Sequence, residues 1–116
     1  MRFLFLVALL LAGPALGQQA WYPGPIQTMG FDSNSRKVTT AFGAQTQFAR
    51  IICTEDCYVA FASSNANSAA TAYQQGATSV LVPADTPETF RVSPNGWVAV
   101  IRVSTNGTFS VMELTR

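Results

Sequence analysis

The chain has 116 residues, enough for one small domain that buries its own core, and only 11% of them are charged, against about a quarter in an ordinary soluble domain. Seven Lys and Arg stand against six Asp and Glu, so nothing in the balance draws nucleic acid over a distance. There is no histidine, which removes Ser-His-Asp and Cys-His nucleophile systems and the commonest metal ligand.

Residues 1–17 read as an apolar, signal-like leader. Arg2 precedes the apolar run of residues 3–12, which is too short to span a bilayer as a helix, and Gly13-Pro14 and Ala15-Leu16-Gly17 supply a cleavage site. Cleavage near Gly17 would leave a chain starting at Gln18 with six basic residues, the seven less Arg2, against six acidic ones. The other reading keeps the run attached as a buried apolar arm.

Residues 18–43 show neither helical nor strand periodicity, and Pro23, Gly24, Pro25 and Gly30 punctuate them. An extended N-terminal arm is expected, with one short strand near residues 37–42. Trp21, Tyr22 and Phe31 in such an arm either pack back on the domain or serve as partner contacts, where aromatics concentrate binding energy.

The domain proper is expected over residues 44–116. Strands at residues 48–52 and 58–62 flank Cys53-Thr54-Glu55-Asp56-Cys57. Fully extended, that stretch would hold the cysteine Cα atoms about 13 Å apart, too far for a bond. A turn at residues 54–56 would bring them together as a hairpin, and so small a loop adds only about 2 kcal/mol by chain entropy. Export favours a Cys53–Cys57 disulfide, whereas a reducing cytoplasm favours two free thiols. Two thiolates without histidine leave a zinc site short of ligands, so no metal and no cofactor are expected.

Residues 63–76 are small, polar and uncharged, with Tyr73 as their one aromatic and a further candidate partner contact. A strand follows at residues 77–82, then a turn at residues 83–87. From Glu88 onward three strands, at residues 88–92, 97–103 and 108–114, are separated by Ser93-Pro94-Asn95-Gly96 and Ser104-Thr105-Asn106-Gly107. Asn-Gly tolerates the positive φ of a two-residue hairpin turn, so a C-terminal antiparallel meander is expected. In the middle strand Trp97, Ala99, Ile101 and Val103 share one face and Val98, Val100 and Arg102 the other, and both are mostly apolar. A strand covered on both sides implies a sandwich or barrel-like all-β domain, or a sheet whose second face meets another subunit.

Carboxylate chemistry is the remaining catalytic option. Glu55 and Asp56 are adjacent and would point apart if extended, while Asp85 and Glu88 bracket a proline turn and read as turn and cap residues. No Gly-rich phosphate loop precedes a helix, and Asn106-Gly107-Thr108, although a glycosylation sequon, falls where a tight turn is needed. The chain is expected not to be an enzyme.

The segments Cys57-Tyr58-Val59-Ala60-Phe61, residues 81–92 and Val98-Ala99-Val100-Ile101, with Gly107-Thr108 and Val111, resemble small proteins of tailed-bacteriophage structural gene regions. The resemblance covers the chain from about Phe48 onward and carries no catalytic signature. It implies a virion-associated head decoration or tail-associated β-domain: a structural protein in several copies, bound to capsid or tail subunits, with no nucleic acid. A secretion-type leader departs from that pattern, since virions assemble in the cytoplasm; there the apolar arm would have to stay attached and buried in the particle. The alternative is an exported periplasmic or extracellular β-sandwich binding or adhesion module, touching membrane only through its leader.

Overall fold

The computed structural model describes residues 21–63, 72 and 79–115. They form strands and turns and no helix: β1 (Tyr22–Phe31), β2 (Arg36–Lys37), β3 (Phe48–Cys53), β4 (Cys57–Ala62), β5 (Val80–Val82), β6 (Glu88–Arg91), β7 (Trp97–Arg102) and β8 (Gly107–Thr115). Two antiparallel four-stranded sheets face each other, the first in the order β1-β8-β3-β6 and the second β2-β7-β4-β5. The fold is the expected all-β sandwich.

Its connectivity is not the expected one. Strands β6, β7 and β8 alternate between the sheets, so the C-terminal meander does not form, and every connection except β4–β5 crosses the sandwich. Backbone partners at the turns account for this. After β6, the Val92 N–H donates to Gln47 O at 2.9 Å and the Asn95 N–H to Gly43 O at 3.3 Å, so these groups serve the loop before β3.

Asn-Gly also works differently from a hairpin turn. Asn95 takes the positive φ, 60°, and no described glycine does. Gly96 and Gly107 are required by closeness: a Cβ on Gly96 would lie 2.8 Å from the carbonyl oxygens of Ala62 and Ser93, and one on Gly107 would lie 2.7 Å from the Phe31 ring.

Residues 22–37 likewise belong to the sandwich instead of forming an arm ahead of it. β1 is an edge strand paired with β8 from Tyr22↔Thr115 to Phe31↔Gly107, and β2 pairs with β7. The register of β1 breaks between Pro23 and Ile26, where two prolines lack the N–H a ladder needs; an edge strand tolerates that as a bulge. The strand expected near residues 37–42 is shorter, but its line continues beside β7 through Val38 N–H to Val98 O at 3.1 Å and Phe42 N–H to Gly96 O at 2.8 Å.

Alternation places the core. Phe31, Ala49, Ile51, Cys53, Cys57, Val59, Val98, Val100, Phe109 and Val111 point between the sheets and are buried. Phe90 of β6 meets Phe61 of β4 across the gap, ring centroids 5.2 Å apart. The other face of β7 is covered too: Ala99 and Ile101 join Ala60 and Ala72 in a second buried cluster, with Tyr58 and Ala62 against it. The Ala72 N–H donates to Ser35 Oγ at 2.9 Å, which ties this cover to the β1–β2 turn.

Replacing Gly107 by Ala should cost about 1–3 kcal/mol by overpacking against Phe31 and Thr54, lowering the denaturation midpoint with the slope unchanged. Gly30→Ala, whose new Cβ meets only Gly107 O at 3.9 Å, should leave the midpoint nearly where it is; equal losses in the two variants would refute the packing argument.

Candidate functional site

One end of the sandwich is closed by three interlocked corners. Cys53 ends β3 in the first sheet, Cys57 begins β4 in the second, and the two are joined by a disulfide with Cα atoms 6.4 Å apart. The bond therefore spans a corner between sheets, where the sequence suggested a hairpin within one. Thr54 donates its N–H to Thr108 O at 2.9 Å and receives the Thr108 N–H on Oγ1 at 2.8 Å. The Asp85 N–H reaches Cys53 O at 2.7 Å, and Asp56 Oδ1 accepts the Ala84 N–H at 2.8 Å. Asp85 takes a positive φ of 56° in its turn. Glu55, Asp56 and Asp85 are exposed and Glu88 is half-buried in β6. Beside this end the Arg36 guanidinium, 2.6 Å from Asp32, holds that carboxyl below the usual carboxylate range, helped by the Asn34 N–H.

The candidate partner contacts separate. Phe31 is 3% exposed in the core, so it cannot meet a partner. Trp21 is half-buried and packs edge-on to Phe48 at 4.7 Å between ring centroids. Tyr22 is exposed on β1, and Tyr73 lies outside the described residues.

The outward face of the first sheet is the first surface with partner chemistry. Register aligns Ile26 (β1), Met112 (β8), Arg50 (β3) and Thr89 (β6) in one row. Thr28, Ser110 and Ile52 form the next, with the Thr28 and Ser110 hydroxyls hydrogen-bonded at 3.1 Å. On the other side lie Leu114, Phe48 and Arg91, with Trp21 against Phe48. Ile26 and Ile52 are exposed at 63% and 40%, and a shallow groove of about 300 Å³ runs between Ile26, Arg50, Ile52, Pro87, Ser110 and Met112. Arg50 and Arg91 have no ion-pair partner among the described residues, and no carboxylate projects outward from these four strands. The sequence shows the two arginines, but only the pairing places both, exposed, on one face.

The second feature is Glu113, the one buried acidic side chain among the described residues, 4% exposed. Its Oε1 accepts the Thr46 hydroxyl at 2.6 Å and the Gly43 N–H at 2.7 Å, which pins the loop before β3 to β8. The same loop is held by Thr46 N–H to Gly43 O at 3.2 Å and by Gln27, whose side-chain amide exchanges two bonds with the Thr40 backbone at 2.9 and 3.2 Å. Between this loop and the β1 bulge opens a cleft of about 550 Å³, lined by Pro25, Ile26, Gln27, Ala41, Ala44 and Glu113 among others. Sequence reasoning missed Glu113. The signal was present in the alternation of β8, where Phe109, Val111 and Glu113 share the inward face.

The class these features define is a disulfide-closed, two-sheet β-sandwich whose first sheet has an apolar and cationic outer face. No protein-family model, curated protein or solved structure matches the chain.

Thr46→Val should destabilise the fold by about 1.5–3 kcal/mol, since it removes a hydrogen bond to a buried carboxylate, and the loss should appear in equilibrium unfolding. Glu113→Ala, which strands both donors, should cost at least as much; a near-neutral result would mean that the loop holds without it.

Proposed function

We propose that this chain is a non-enzymatic structural protein of a phage particle, a minor capsid, decoration or tail-associated component that docks on neighbouring virion subunits. The observation that carries the reading is the outward face of the first sheet, an apolar groove holding Arg50 with Arg91 nearby and no carboxylate to answer them. Such a face suits a protein surface that offers aliphatic side chains around an Asp or Glu, since an exposed cation gains most from a partner that also excludes water. A particle with many equivalent subunits would present that partner in several copies. The resemblance from Phe48 onward favours the virion context, and the sheet face is the surface that suits attachment.

A second reading, an exported β-sandwich binding or adhesion module, is favoured by the Cys53–Cys57 bond together with the leader, because disulfides persist in oxidising compartments. Intact mass under non-reducing conditions separates the two. A chain starting at Gln18 and lighter by two hydrogens supports export; a chain that keeps residues 1–17 supports the particle component.

Attachment itself is tested by substituting the face. Ile52→Asp combined with Arg50→Glu, both exposed, should leave the unfolding midpoint within about 1 kcal/mol of the parent yet lower recovery in purified particles at least about tenfold. Unchanged recovery would show that this face is not the contact.

A further inference from the structure

We infer that the cleft between the β1 bulge and residues 40–46 is a binding site for a primary ammonium group on an aliphatic stem, with Glu113 as its counter-ion. The site goes beyond the docking face, since it opens on the inward side of β8.

Three observations lead there. First, Glu113 is 4% exposed, and a carboxylate so buried ordinarily sits beside a cation. None of the described cations serves it. Arg36 pairs with Asp32, the Lys37 ammonium lies 4.5 Å over the Trp97 ring, Arg102 donates to Asn106, and Arg50 and Arg91 are on the opposite side of the sheet. Second, both donors that reach Glu113 meet Oε1, and among the described residues none meets Oε2. One oxygen held and one left suits a compact ammonium better than a guanidinium, which binds a carboxylate best through both oxygens. A divalent metal would need more ligands, and no group of three His, Cys, Asp or Glu occurs among the described residues. Third, the walls of the cleft are Pro25, Ile26, Ala41 and Ala44, apolar surface for a methylene chain, and its volume of about 550 Å³ lies in the usual range for small ligands.

The bulge is what opens this site. Pro23 and Pro25 break the register of β1, and Gly24 comes so close to β8 that a Cβ there would lie 3.2 Å from Glu113 O. A regular strand would run on beside β8 with no step along it.

The test is an amide NMR titration of the full chain with n-butylammonium, alongside n-butanol and butyrate as neutral and anionic stems. The ammonium should shift Gly43, Ala44, Gln45 and Thr46 saturably, and at least about tenfold more tightly than either comparison ligand. Glu113→Gln should abolish that preference. Because Glu113→Gln also disturbs the loop, Ala44→Trp serves as a second variant: it fills the cleft from an exposed position, leaves the Glu113 bonds in place and should block binding with the spectrum otherwise preserved. Equal shifts from butanol and butylammonium, or full binding by Ala44→Trp, would overturn the proposal. So would ammonium binding that appears only in Arg116→Ala, which would make the chain's own guanidinium the occupant.

Discussion

The fold depends on the corners at which the chain leaves one sheet for the other. Every connection but β4–β5 makes such a crossing, so almost no strand pairs with its neighbour in sequence. Neither sheet can form from a local stretch: β8 lies between β1 and β3, and β7 between β2 and β4. The two sheets must close together over Ile51, Val59, Val98, Val100, Phe109 and Val111, and each such buried side chain contributes roughly 1.5–3 kcal/mol only once its opposite layer is present. Pairing of this kind is non-local and comparatively slow to form. The Cys53–Cys57 bond fixes one corner, and Thr54, Asp56 and Asp85 tie the other turns of that end to it.

Strand positions were legible because alternation and β-branched runs are local. Of the two faces expected for β7, Val98 and Val100 point toward the core and Ala99 and Ile101 into the second cluster, whereas Trp97, expected on the side of Ala99, packs against the core cluster. Pairing was not legible, because Asn95-Gly96 and Asn106-Gly107 suit either a hairpin or a corner. What decides between them is remote: Gly43 and Gln47 accept the turn's N–H groups, and Phe31 and Thr54 leave no room for a Cβ at Gly107. β1 was obscured for a related reason. Its prolines and glycines read as an arm, yet an edge strand with a bulge tolerates them, and Met29 and Phe31 still alternate inward with Gln27.

Site residues divide along the same line. The turn at residues 54–56 could be placed from the span a disulfide allows, and the bond is there, though across a corner. Phe31 could not be told from a partner contact, since its burial depends on β8 lying alongside. Glu113 was readable in principle, as a charge in the inward register of Phe109 and Val111, but a sequence offers nothing to show that Gly43 and Thr46, some 70 residues earlier, would meet it.

The outward face of the first sheet and the cleft are two sides of one pair of strands. Met112 points outward into the groove, Glu113 points inward into the cleft, and Ile26 of the bulged β1 lines both. Such an arrangement gives the two surfaces one strand in common. Among the described residues β1 is an edge strand paired on one side, by β8, and its register is already broken at residues 23–26. A partner that buries Ile26 from outside fixes the outer end of that bulge, and a stem lying against Pro25 and Ile26 from inside fixes the same segment. The ordering entropy of the bulge is then spent once for two contacts, so occupation of either side should favour the other without any change of fold. Ile26, 63% exposed and common to both surfaces, is where that coupling would pass.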